Sequence, residues 1–235
     1  MKNKVCMVTG VGEGNGRSIS QKFADEGYRV AMLARSKERL DQYEQEIDGA
    51  KGFVCDVTNE ASMKAAAKQV RDELGPIDVF VHNAGSGMFG DFENVTVKDM
   101  EDAWRTNTIG LVVLGQAATK DMLSNDGGSI VVVGATSALR GGAGFTAFAS
   151  AKSAQRSLAQ SMARSLGPKG IHVSYLVIDG MIDIPRVRAM DFAKDMEDDA
   201  FLQPDEIADA IWYLAHQPKS TWTFELDIRP HREKW

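Results

Sequence analysis

Apolar and polar positions alternate in blocks along this chain. Seven short apolar runs stand out: "KVCMVTG", "RVAMLAR", "KGFVCDV", "IDVFVHNAG", "GSIVVVGA", "GIHVSYLVIDG" and "WTFELDIR". Several are apolar at successive positions, the pattern of a strand buried on both faces of a parallel sheet. The segments between them have helical period. "KERLDQYEQEI" places Leu40, Tyr43 and Ile47 on one face, and "PDEIADAIWYLAHQ" does the same with Ile207, Ile211 and Leu214. Strands alternating with helices predict an α/β fold, a doubly wound parallel sheet of about seven strands flanked by helices. No repeat, low-complexity stretch or linker divides residues 1–235, so one domain is expected. Residues 185–203 are polar and charged between two elements and read as a mobile substrate-side flap. The run "KDMEDD" inside it reads as a solvated face.

The composition is that of an ordinary globular chain: 43% hydrophobic, 26% charged, net charge -6. With no clustered basic run, a nucleic-acid partner is not expected. "MKNKVCMVTG" passes from Met1 into an apolar strand, without the apolar run of about 20 residues that a membrane span needs. Neither a signal peptide nor a membrane partner is expected. Cys6 and Cys55 each fall in a predicted buried strand, which favours reduced thiols and a cytoplasmic location. No metal site is expected.

The first strand runs into "VTGVGEGNGRSIS", with Thr9, Gly10, Gly14 and Gly16 in the spacing T-G-x-x-x-G-x-G. Between a strand and a helix, such a turn lets a diphosphate approach backbone N–H groups at the helix N-terminus. Alone it is equally a plain loop; the strand–turn–helix context makes it a dinucleotide site, with Thr9, Gly10, Gly14, Asn15 and Gly16 as its candidates. The second strand ends "MLARSKERL". An acidic residue at that point selects NAD by accepting from the ribose hydroxyl. Here Ala34 is followed by Arg35, suited to a ribose phosphate. NADP is preferred on that ground and NAD stays possible, because Glu13 in the turn would repel the phosphate.

"TGVGEGNG", "CDV" at 55–57, "HNAG" at 82–85, Asn107 in "RTNTIG", Lys152 in "ASAK" and Gly180 in "VIDG" occur in one order. Together the set resembles the short-chain dehydrogenase/reductase family, classical type, from Val5 to about Pro230. The resemblance implies a single Rossmann-type domain, a nicotinamide cofactor and a homodimer or homotetramer. It also implies roles. Asp56 and Val57 touch the adenine, and Asn83, Ala84 and Gly85 support the adenosine side. Asn107 bulges a helix and holds a water, Lys152 binds the nicotinamide ribose hydroxyls, and Gly180 and Ile182 lie at the nicotinamide end. Each also has a bland reading: a turn at Asp56, a backbone-bonded polar group at Asn107, a snorkelling Lys152.

Two chemical groups of the family pattern are missing. A Tyr is expected four residues before the Lys, to protonate the alkoxide that hydride transfer creates, and a Ser about thirteen residues earlier. Here those positions are Phe148 and Ala135. Asp179 stands where the family has Pro, and Ile184 where it has Thr. "GGAGFTAFASAK" resembles a divergent branch that carries F-A-S-A-K. Phe148 has no proton to give; near the carboxyl edge of the sheet Asp179 is a candidate for acid–base work, Thr136 or Ser137 for orienting a water, and Arg140 for stabilising a substrate oxyanion or carboxylate. Their structural alternatives are a cap, a strand-end hydrogen bond and a subunit contact. His82 and Tyr175 read as structural. The aromatics Trp222, Phe224 and Trp235 and the small residues of "FASAKSAQRSLAQSMARSLG" are candidates for a subunit contact. The reading is an NAD(P)(H)-dependent oxidoreductase acting on an unknown carbonyl or alcohol. Its alternative is a cofactor-binding protein without turnover.

Overall fold

The computed structural model describes residues 4–87 and 89–233. In chain order the elements are β1 (Val5–Thr9), α1 (Asn15–Asp25), β2 (Arg29–Ala34), α2 (Lys37–Glu46), β3 (Ala50–Val54), α3 (Glu60–Glu73), β4 (Val79–His82) and α4 (Val97–Trp104). They continue with α5 (Gly110–Ser124), β5 (Gly128–Val133), α6 (Thr146–Leu166), β6 (Ile171–Ile178), β7 (Met181–Ile182), α7 (Pro185–Arg188), β8 (Phe201–Leu202), α8 (Pro204–Ala215) and β9 (Glu225–Ile228).

Among the described residues, seven strands form one sheet in the order β3-β2-β1-β4-β5-β6-β9. Every neighbouring pair is parallel. The chain starts at the centre, runs out to β3 and returns to β4, so the order reverses between β1 and β4. In such sheets ligands bind at the strand carboxyl ends beside that reversal.

Strand alternation explains the two-sided apolar runs. Val5 and Met7 of β1 enter one core with Phe80, Leu111, Met122 and Tyr175. Cys6 and Val8 enter the opposite core with Ile19, Phe23, Leu40 and Ile207. Both faces are therefore covered by helices, as the pattern predicts. Leu40, Tyr43, Ile47, Ile207, Ile211 and Leu214 are all buried. Cys55 lies one residue beyond the end of β3 rather than within it, yet it and Cys6 are buried free thiols. Burial pushes the Cys55 thiol up to about 11.

Residues 185–203 hold more structure than a flap without elements. α7 opens the segment, and β8 closes it by pairing in parallel with β7. Arg188 forms two bonds of 2.7 Å with Asp183 and one of 2.8 Å with Asp198, and its guanidinium lies 3.9 Å from the Phe201 ring centroid. Within the charged run, Glu197 and Asp199 pair with Arg232. Among the described residues no helix is long and apolar enough to cross a membrane. No group of three metal-ligating side chains occurs among them either. Phe224 packs against the core, and Trp222 stacks on His172 at 4.9 Å. Trp235 lies outside the described residues.

Candidate active site

The glycine turn is shaped by close approach. Gly10 has φ +70, and a Cβ there would lie 2.6 Å from the Ala84 Cα. Thr9, fully buried, ties the same two strand ends together: its hydroxyl accepts from the Ala84 N–H at 3.2 Å and meets His82 Nδ1 at 3.2 Å. Asn83 Nδ2 donates to the Gly10 carbonyl at 2.9 Å. "TG" and "HNAG" thus build one wall at the sheet reversal.

α1 begins at Asn15 with no side-chain cap and no acid in its first turn, leaving its positive end available to an anion. The buried Oδ1 of Asn15 has no hydrogen-bond partner. Arg35 is exposed at the end of β2, and its charge adds to the Thr58 hydrogen bonds that hold the Asp56 carboxyl below its ordinary value. One Asp56 oxygen accepts from both Thr58 N–H and Thr58 Oγ1, at 2.9 and 2.7 Å. Val57 is half-buried against the core. A second cation, Arg39, was not singled out in the sequence: its Nη1 lies 4.0 Å from the point a Gly12 Cβ would occupy. Arg39 therefore stands over the same turn as Glu13.

On the far side, a Cβ on Gly14 would meet Ile184 Cγ2 at 2.6 Å. The glycine requirement at this position comes from a side chain 170 residues away. Gly180, at φ +141, is crowded instead by Pro230 at 2.8 Å. Ile182 pairs with Leu202 at the base of the flap.

The chemistry centres on Lys152. Its Nζ donates to the Val133 carbonyl at 2.9 Å and to Gln155 Oε1 at 3.1 Å, and lies 6.0 Å from the Phe148 ring centroid. Burial pushes its ammonium down from the usual lysine value to about 7. Asn107 sits in one π-helical turn, Arg105–Ile109, between α4 and α5. Its Nδ2 donates to the Ala103 carbonyl at 2.8 Å, while its buried Oδ1 has no partner. The Asn107 carbonyl accepts from Gln155 Nε2 at 2.7 Å and faces His82 Nε2 at 3.3 Å. Gln155 thus bridges Lys152 and Asn107, a role no motif announced, although it lies three residues after Lys152 on α6. Burial pushes His82 down to about 3, so it is neutral and structural. Tyr175 is wholly buried; its hydroxyl lies 3.5 Å from the Lys152 carbonyl and from Gln155 Oε1.

Asp179 and Thr136, candidates near the carboxyl edge, bind each other. Thr136 Oγ1 donates to Asp179 Oδ1 at 2.5 Å, and Asp179 Oδ2 pairs with Arg229 Nη1 at 3.0 Å. These groups, with Leu139, Arg140 and Asp227, line a cleft of about 180 Å³. Arg140 is exposed at its rim. Beside Lys152 the rings of Phe89, Phe145 and Phe148 meet edge-on or tilted, with centroids 5.1 to 6.4 Å apart. Phe89 is 63% exposed, so this wall is apolar and open. A larger hollow, about 700 Å³, lined by Lys169, Lys219 and Trp222, lies at the opposite strand ends and is far from this chemistry.

Comparisons with known proteins bear on the family and the fold. An uncharacterized oxidoreductase of Staphylococcus epidermidis is 27% identical over 98% of both chains. The 3-oxoacyl-[acyl-carrier-protein] reductase of Mus musculus is 30% identical over 93% of this chain and 94% of its own length. A crystal structure of a short-chain dehydrogenase from Rhodopseudomonas palustris superposes with a TM-score of 0.83 at 35% identity, covering 98% of this chain and all of that one. The short chain dehydrogenase profile matches residues 4–192. A Rossmann-type sheet, a glycine turn beneath the start of α1 and a buried lysine on α6 are thus found in a chain that belongs to the short-chain dehydrogenase family.

Proposed function

We propose that this chain is an NADP(H)-preferring oxidoreductase acting on a carbonyl or alcohol without the usual Tyr and Ser. The observation that carries the reading is the pairing of a dinucleotide cradle with Lys152 at the same edge of the sheet. The residues fit the cofactor: the uncapped start of α1 and the unpartnered Asn15 Oδ1 suit a diphosphate, and Arg35 with Arg39 suits a ribose phosphate. Thr9, Gly10, Gly14, Gly16, Asp56, Val57, Asn83, Ala84 and Gly85 would surround the adenosine half. Lys152 would hold the nicotinamide ribose, with Gly180 and Ile182 beyond it. The bound dinucleotide supplies a hydride equivalent. The apolar wall of Phe89, Phe145 and Phe148 favours a substrate with an aromatic or otherwise apolar body.

The test is a fluorescence titration with NADPH and NADH separately, on the natural chain and on Arg35→Ala. Tight NADPH binding weakened about tenfold in the variant is expected, the size of one charge-assisted contact. Equal affinities for the two dinucleotides would remove the NADP preference.

Phe148 favours a second reading, a dinucleotide-binding protein without turnover. Reductase activity that appears only when Phe148→Tyr and Ala135→Ser are combined would support it.

A further inference from the structure

We propose that Gln155 is a positioning residue for the cofactor, acting through Lys152 by holding the ammonium where it meets the nicotinamide ribose. This deepens the oxidoreductase reading above and rests on its assignment of Lys152 to that ribose.

Gln155 is 0% exposed and follows Lys152 by three residues on α6, so the two side chains share a face. Its partners fix which way the amide lies. Oε1 accepts from Lys152 Nζ at 3.1 Å and lies 3.5 Å from the Tyr175 hydroxyl, a second donor. Nε2 donates to the Asn107 carbonyl at 2.7 Å. Turned over, the amide would set its N–H groups against the ammonium and its oxygen against the carbonyl. That carbonyl belongs to the π-helical turn Arg105–Ile109, and His82 Nε2 meets it at 3.3 Å. The nitrogen facing a carbonyl carries the hydrogen, which leaves His82 Nδ1 to accept from the Thr9 hydroxyl at 3.2 Å. Thr9 in turn accepts from the Ala84 N–H. One hydrogen-bonded line therefore runs from Lys152 through Gln155, Asn107, His82 and Thr9 to the wall of the glycine turn.

An ammonium on a flexible four-carbon stem has no preferred direction of its own. Here the Val133 carbonyl, at the end of β5, and Gln155 take two of its N–H bonds. Two fixed acceptors set where the remaining N–H can go. Nζ lies 3.6 Å from the point a Cβ on Gly85 would occupy, on the side the dinucleotide takes in the reading above. Solvent cannot stand in for the amide, because Gln155 has no exposed surface. Without it, Nζ and the Asn107 carbonyl each lose a partner in a site closed to water. A carboxylate at 155 would hold the ammonium but repel the Asn107 carbonyl, and an apolar side chain would bind neither. Glutamine supplies an acceptor and a donor at that reach with no added charge; asparagine is one methylene short.

The test is a calorimetric titration with NADPH and, separately, with 2′,5′-ADP, which lacks the nicotinamide ribose. Where NADH proves the tighter dinucleotide, NADH and ADP replace that pair. Gln155→Met keeps the side-chain length and removes both bonds. It is expected to bind NADPH about tenfold more weakly, the contribution of one hydrogen bond, and 2′,5′-ADP as the natural chain does. In a Lys152→Met background the same substitution should cost nothing further, since Gln155 acts through Lys152. Gln155→Asn, an amide too short to span both partners, should show the same selective loss and serves if circular dichroism finds Gln155→Met unfolded. Unchanged NADPH affinity, equal loss for both ligands, or an undiminished loss in the Lys152→Met background overturns the proposal. Lys152→Met alone separates the failures. If it weakens NADPH while the Gln155 variants do not, only the positioning role falls. If it leaves NADPH binding unchanged, or the natural chain binds neither dinucleotide, the ribose assignment is lost and the proposal with it.

Discussion

Asp179 shows how a residue with catalytic promise can be absorbed by packing. It ends β6 in the sequence as in the structure, but its two oxygens are taken by Thr136 and Arg229. Arg229 is only 15% exposed and Asp179 10%, so removing one partner leaves a desolvated charge. Arg229→Met is therefore expected to lower unfolding stability by about 3–5 kcal/mol, and Asp179→Asn by less. Denaturant titration checks both; Asp179→Asn should leave the pH profile of any turnover in place. Lys152 makes the opposite kind of prediction. Its folded value, about 7, lies below the ordinary lysine value, so between the two the unfolded chain binds the extra proton. Stability from this residue therefore rises with pH from about 7 to about 10 and is lowest below 7. Relative to Lys152→Met, the natural chain should gain stability between pH 6 and pH 9.5, at up to about 1.4 kcal/mol per pH unit. A pH-independent difference between the two would show that the ammonium is not desolvated. Neither the Asp179 clamp nor the Gln155 bridge was legible in the sequence. Both join groups from separate elements and leave no local periodicity. Lys152 and Asn107 sit in short motifs that a family resemblance can pick out, and the structure buries both beside Gln155.

At the scale of elements, the strands were readable because a parallel sheet covered on both faces demands unbroken apolar runs. α2 and α8 were readable because each buries one stripe. The segment 185–203 was harder. Its structure comes from contacts between residues apart in sequence: Arg188 gathers Asp183, Asp198 and the Phe201 ring, Arg232 pairs with Glu197 and Asp199, and β8 pairs with β7. Just before the segment, Ile184 contacts Gly14, at the place where a diphosphate would approach the glycine turn. A hydroxyl at 184 could donate to a phosphate; an isoleucine only fills space. Ile184→Ala is thus expected to tighten NADPH binding several-fold while changing the melting temperature little, because the side chain is partly exposed. Weaker binding in that variant would mean that Ile184 packs against the bound dinucleotide rather than displacing it.

For the whole molecule, the sheet buries its two cores completely, and what remains apolar is at the surface. Val97 and Trp104 lie seven residues apart on α4, hence on one face, and are 76% and 47% exposed. The core of α4 is elsewhere: Ala103 packs with Ala147 and Ala151 of α6, which gives two of the small residues on that helix an internal role. Burying Val97 and Trp104 against a second copy would remove their exposed surface from water. The pattern suits the dimer or tetramer that the family resemblance implies. Light scattering at micromolar concentration is expected to give a multiple of the 25.6 kDa chain. Trp104→Glu should shift it to the monomer, since a carboxylate at the centre of an apolar contact would be buried without a partner. Retained circular dichroism in that variant would tie the shift to association and not to unfolding. A natural chain already monomeric at that concentration would mean that the exposed face of α4 meets solvent, and the assembly inferred from kinship should then be dropped.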